Sequence, residues 1–128
     1  MILGIGVDIV NIARIKAVID RYGERFLLRA FCPQEIEDCS KKVESAPCYA
    51  ARFAAKEAFV KALGTGFSRG IALRQVCIEK LETGAPVINI QGVALEKAKD
   101  MGVKKIHVSL SHERDAAIAM VVIERGGH

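Results

Sequence analysis

The sequence predicts an α/β domain, more narrowly α+β, with a mostly antiparallel sheet packed on one long central helix, and three observations carry that prediction. The chain has 128 residues, enough for one ordinary core but not two, so residues 1–128 read as a single domain. Hydrophobic residues make up 51% and charged residues 27%, which excludes a disordered chain; with no Trp and few aromatics the core must be built from small and branched side chains. Short stretches of strand period alternate with stretches of helical period, and the longest helical stretch, rich in alanine, lies mid-chain.

Residues 2–10 alternate, with Leu3, Ile5, Val7 and Ile9 on one face and Gly4, Gly6 and Asp8 on the other. The apolar face is expected against a core, and the glycine face is open to close approach by another backbone or a ligand. Ile12, Ile15, Val18 and Ile19 then recur at helical spacing, with Asn11 as N-cap and Gly23 as stop. Short helices are predicted over 24–30 and 33–42, the latter with Pro33 at its first position, Glu35 placed for a capping box and Cys32 as a poor cap. Residues 47–63 form the long helix, begun by Pro47 and closed by Gly64, with apolar and alanine positions covering most of its circumference.

Beyond the glycine-rich turn 64–70, strands over 73–81 and 87–90 flank turn residues 82–86, a helix covers 93–101 up to Gly102, and 105–111 with 116–123 make a second hairpin. Four cysteines, Cys32, Cys39, Cys48 and Cys77, are expected as free thiols: the start at Met1 has no signal-peptide pattern and no apolar run is long enough to span a bilayer, so the cytosol is the expected compartment. Zinc is disfavoured by the lack of Cys-x-x-Cys or His-x-x-x-His spacing.

Asp8 ends a glycine-bearing strand, and Glu57 sits mid-helix among apolar residues. Buried carboxylates need a cation, and two that converge suit a hard divalent ion such as Mg2+; the alternative is an ion pair from Glu57 to Lys61 with Asp8 capping the first helix. Arg52, Lys56 and Lys61 exceed what Glu57 neutralises, so an outside anion, most economically a phosphorylated ligand, would balance them. The alternative is lysine stems over the core with heads in solvent, against which Lys56 argues because it falls in the apolar stripe. His112 ends a strand whose inward residues are Ile106, Val108 and Leu110 and can reach a site there, or can be an ordinary satisfied histidine. Residues 11–30 carry five cations (Arg14, Lys16, Arg21, Arg25, Arg29) against Asp20 and Glu24, beside Ile15, Val18 and Phe26: a basic, partly apolar surface for an acidic protein helix rather than for nucleic acid, or else a solvated face.

Gly4-Ile5-Gly6-Val7-Asp8, Arg14-Ile15, Arg52-Phe53-Ala54-Ala55-Lys56-Glu57 running on through Lys61 to Gly64-Thr65-Gly66, Gly84-Ala85-Pro86 and Ser111-His112 stand in the order and spacing of the holo-acyl-carrier-protein synthases, which the chain resembles over essentially its whole length. The resemblance implies the small 4′-phosphopantetheinyl transferase fold, assembled as a homotrimer with sites between subunits, and transfer of the 4′-phosphopantetheine arm of coenzyme A to a serine of an acidic acyl carrier protein. It implies Asp8 and Glu57 as Mg2+ ligands, with Lys61 and His112 at the reacting centre. For the coenzyme it implies Arg52, Lys61 and His112 at or near the phosphates and Gly64 and Pro86 in the nucleotide pocket. Lys56 joins this group from the charge count above. The implied carrier-protein surface is Arg14, Arg25, Phe26 and Arg29. Water on the metal, Glu57 and His112 all stand as candidate bases. Two departures are Cys32, where the family commonly has Thr, and the tail Gly126-Gly127-His128, which matches nothing in the pattern.

Overall fold

Glycine alternation decides how the first strand packs. A computed structural model describes residues 1–68 and 70–126; Arg69 of the glycine-rich turn and the end of the tail, Gly127 and His128, lie outside the described residues. Strand β1 (Ile2–Asn11) lays its glycine face on the long helix α4 (Ala46–Leu63), backbone on backbone. A Cβ on Gly6 would fall 1.9 Å from the Ala58 carbonyl oxygen, and one on Gly4 would fall 2.0 Å from that of Ala62. The expected core face is therefore corrected for all but Leu3, which packs against the core beside the bulge at the start of β1. Ile5, Val7 and Ile9 point away from α4 and are 60%, 50% and 68% exposed.

Between these elements come α1 (Ile12–Tyr22), α2 (Glu24–Ala30) and α3 (Pro33–Ser40). Asn11 caps α1 as expected, its Oδ1 accepting from the Arg14 N–H at 3.0 Å, and Gly23 at φ +56° ends it. Helix α4 is buried over 13 of its 18 residues; beyond its first turn only the line Phe53, Glu57, Lys61 escapes burial, the i, i+4, i+8 stripe of one face. Gly64, in the left-handed conformation at φ +82°, closes the helix.

A 3-10 turn (Leu73–Gln75) replaces the start of the expected strand: Gln75 Oε1 accepts from the Ala72 and Ala94 N–H groups, which folds the chain before it extends. Then follow β2 (Val76–Lys80), β3 (Pro86–Ile90), α5 (Gly92–Met101), β4 (Val103–His112) and β5 (Ala116–Arg125). All pairings are antiparallel, in a three-stranded sheet of order β1-β5-β4 and a two-stranded β2-β3 sheet, as the hairpin turns predict. Ala119, Val121 and Ile123 of β5 face the α4 core, against which Ile106, Val108 and Leu110 of β4 also pack.

The cysteines differ from expectation: Cys32 pairs with Cys77 and Cys39 with Cys48, and none is free. The first pair joins the entry of α3 to β2. The second joins the last turn of α3 to the first turn of α4. Compartment reasoning cannot see such pairing, because it depends on which elements meet in space.

Candidate active site

Backbone contact between β1 and α4 brings Asp8 beside the exposed stripe of the helix. Lys61 Nζ donates to Asp8 Oδ1 at 2.8 Å and to the Val7 carbonyl at 3.2 Å, so the lysine pairs across elements and not with Glu57 one turn back. The half-buried Glu57 carboxyl is held above its ordinary range, first by loss of solvent, then by the Asp8 charge. Lys61 is held above its ordinary range by its hydrogen bond to Asp8 and by the Asp8 charge. Two carboxylates that repel each other on one open face fit a divalent cation. Among the described residues no group of three or more His, Cys, Asp or Glu is placed to hold a metal ion, so a cation here would have two carboxylates, the number Mg2+ takes alongside water and phosphate oxygens.

Arg14, Val18, Phe26 and Phe53 line the same 280 Å3 hollow as Asp8 and Glu57. Of the expected carrier surface, Arg14 and Phe26 are thus at the carboxylates. Phe26 is fixed edge-on to Phe31 with centroids 5.8 Å apart. Arg25 and Arg29 stand exposed along α2, outside that lining.

A second cavity, of about 510 Å3, lies among α4, β2, the turn before β3 and the end of β4. Arg52, Gly84, Pro86 and His112 share it, with Lys42 and Lys80 at its rim. Buried Arg52 donates from Nη1 to the Ile78 carbonyl at 2.8 Å and to Asp38 Oδ2 at 3.4 Å. Gly64 lines neither hollow; it sits with Thr65, Ser68, Lys97 and Asp100 at the far end of α4.

Lys56 is corrected from ligand to framework. Fully buried, it donates from Nζ to Glu35 Oε1 at 2.7 Å, to the Leu73 carbonyl at 3.1 Å and to the Val76 carbonyl, which uses all three of its donors. Burial pulls its ammonium below the usual lysine range against the opposing charge of Glu35. Glu35, equally buried, also accepts from the Cys32 N–H at 2.8 Å and the Ile78 N–H at 3.0 Å. The capping position of Glu35 is legible in the sequence, but its partner in α4 is not.

Convergent carboxylates with a lysine against them, and a separate arginine-bearing cavity large enough for part of a nucleotide, are features that suit a divalent cation and a phosphate-bearing ligand. A model of the 4′-phosphopantetheinyl transferase superfamily matches residues 4–121. The holo-[acyl-carrier-protein] synthase of Maridesulfovibrio salexigens is 52% identical over 125 residues, covering 98% of this chain and all of its own. The crystal structure of the Neisseria meningitidis holo-[acyl-carrier-protein] synthase is 36% identical with a TM-score of 0.88, over 98% of this chain and all of that one. The Helicobacter pylori holo-[acyl-carrier-protein] synthase in complex with coenzyme A is 36% identical with a TM-score of 0.83, over 94% and 99%. The chain belongs to the 4′-phosphopantetheinyl transferase superfamily, within its holo-[acyl-carrier-protein] synthase family.

Proposed function

We propose that the protein moves the 4′-phosphopantetheine arm of coenzyme A onto a serine of an apo acyl carrier protein, giving the holo carrier and adenosine 3′,5′-bisphosphate. The serine oxygen bonds to the β-phosphorus, its proton passing to a base for which Glu57 and His112 are the candidate side chains, and the bond from that phosphorus to the bridging oxygen breaks, the oxygen leaving on adenosine 3′,5′-bisphosphate; such chemistry needs alignment and neutralised charge more than covalent help. The observation that carries this reading is the convergence of Asp8, Glu57 and Lys61 on one open face. Asp8 and Glu57 would hold Mg2+, which when bound supplies charge neutralisation for the pyrophosphate. Lys61, fixed by Asp8 and the Val7 carbonyl, offsets charge gathering on the phosphoryl oxygens. Arg52 and His112 bind coenzyme phosphates, Pro86 lines the nucleotide path, Gly64, remote from that cavity within one subunit, joins the path from a neighbouring one, and Arg14, Arg25, Phe26 and Arg29 take the acidic carrier.

The active form is a homotrimer with shared sites. Two features support it: the lining of the Arg52–His112 cavity and that of the Asp8–Glu57 hollow share no residue, and the outer face of the three-stranded sheet is apolar and bare, with Ile118 and Met120 of β5 paired to Ile9 and Val7 of β1. Incubation with coenzyme A, Mg2+ and an apo carrier protein, followed by intact mass spectrometry of the carrier, tests the reaction: one added phosphopantetheine arm is expected, and an unmodified carrier refutes it.

A further inference from the structure

We propose that Asp38 is a positioning residue for coenzyme binding: it fixes the guanidinium of Arg52 so that the rest of the fork faces the large cavity. The inference rests on the reading of Arg52 as a phosphate ligand and goes beyond it. Asp38 is absent from the cavity lining, whereas Arg52 is part of it, so Asp38 acts through the arginine. Both protein partners of the arginine side chain among the described residues fall on Nη1, the Ile78 carbonyl at 2.8 Å and Asp38 Oδ2 at 3.4 Å. The Nε and Nη2 donors are left for an anion, and the planar fork suits phosphate.

Asp38 is itself held. Its Oδ1 accepts from Gln34 Nε2 at 3.0 Å, one turn back along α3. Its neighbour Cys39 is joined to Cys48, which stands one helical turn before Arg52 on α4. The two helices are therefore pinned together beside the carboxylate–guanidinium contact. Ile78, the other partner of Arg52, is fixed by the same helix, since its N–H donates to the buried Glu35 carboxylate of α3. Arg52 is thus bound between two anchored acceptors, and only Asp38 is charged.

The sign of a single measurement separates positioning from a simple field effect. If Asp38 contributed only its charge, removing it would tighten binding of an anionic ligand. A positioning role demands the opposite, because an unanchored arginine must be ordered when the ligand arrives. With adenosine 3′,5′-bisphosphate as the calorimetric probe and coenzyme A in turnover, Asp38→Ala is expected to raise Kd and KM about 3- to 10-fold, as befits loosening rather than deleting a charge-assisted hydrogen bond. The kcat should stay within about 2-fold. Asp38→Asn, which keeps the shape and an acceptor, should fall between parent and Asp38→Ala, and guards against a folding failure in the alanine variant. In a double-mutant cycle, Asp38→Ala should add nothing once Arg52 is Gln.

Unchanged or tighter nucleotide binding in Asp38→Ala and Asp38→Asn, with Arg52→Gln weakened, overturns the positioning role and leaves the reading of Arg52 standing. Unchanged binding in Arg52→Gln overturns both. Additive losses in the cycle also overturn the proposal, since they would mean that Asp38 acts independently of Arg52.

Discussion

Replacing Lys56 by Met tests whether the most deeply buried cation of α4 belongs to the framework or to the ligand. The substitution keeps length and much of the volume but leaves the buried Glu35 carboxylate with only the Cys32 and Ile78 N–H groups as donors. Breaking a buried pair from one side costs about 3–5 kcal/mol, and the two remaining hydrogen bonds put this case toward the lower end. At about 2.1 cal/mol/K of unfolding entropy per residue, a 128-residue domain has about 0.27 kcal/mol/K, so the midpoint should fall by about 11 °C or somewhat more. Differential scanning calorimetry reads that shift. Turnover measured well below the lowered midpoint should show KM for coenzyme A close to the parent value, because no donor of Lys56 is free to reach a ligand. Adding Glu35→Gln should recover part of the lost stability, since the orphaned charge goes with it. A Lys56→Met protein of unchanged midpoint but sharply raised KM for coenzyme A would refute this reasoning and return Lys56 to the phosphate site.

Gly6→Ala should lose more than the usual ~1–3 kcal/mol of overpacking in urea denaturation, because the new Cβ meets backbone on a buried helix that cannot step aside; parent-like stability would show that β1 can lift from α4. Glu57→Gln should abolish most transfer yet leave the metal-free fold as stable as the parent or more so, and the pH dependence has a definite sign. A carboxyl whose folded value is raised binds its proton more readily in the folded state, so the metal-free parent should lose stability as pH climbs from the ordinary 4.5 through the raised value, and the Gln variant should lack that slope in pH-resolved thermal scans. Reduction with dithiothreitol should lower the midpoint, since links across 45 and 9 residues are worth about 4 and 2.5 kcal/mol in the chain-entropy account; an equal midpoint, or four thiols titrating before reduction, would contradict the pairing. Met120→Lys, at a half-exposed position on the bare sheet face, should leave the subunit folded while native mass spectrometry shows loss of trimer and activity is lost with it; a fully active monomer would reject shared sites.

Much of this architecture is legible because local rules and tertiary packing agree. Asn11, Gly23 and Gly64 mark helix ends by their own backbone chemistry, and Asp8 and Glu57 stand out because carboxylates in apolar surroundings require an explanation. The illegible parts all depend on what meets across long sequence distances. Alternation in β1 gives two faces but not which one is inside, and the apolar face reads as core only on the assumption that the chain must cover it alone. Lys56 falls in the apolar stripe of α4, and its partner Glu35, 21 residues earlier, shows in the sequence only as a capping position. The cysteine pairs depend on α3 meeting both β2 and the start of α4, contacts no spacing encodes.

The face exchange in β1 links two properties that appear unrelated in the sequence. Because side chains alternate along a strand, seating Gly4 and Gly6 on the α4 backbone fixes the direction of every other residue of the strand. On the helix side, the missing Cβ atoms let β1 come close enough for the Asp8 carboxylate to reach Lys61 at 2.8 Å and to raise the Glu57 carboxyl. On the other side, the same register drives Ile5, Val7 and Ile9 outward beside Ile118 and Met120, an apolar surface that one subunit leaves in water. A one-residue slip would bury the isoleucines and carry Asp8 away from Glu57 together. Site and bare apolar face are therefore set by one register, so substitutions that pry β1 from α4 must damage both, whereas Met120→Lys, on β5 and facing outward, should break the proposed trimer without moving Asp8.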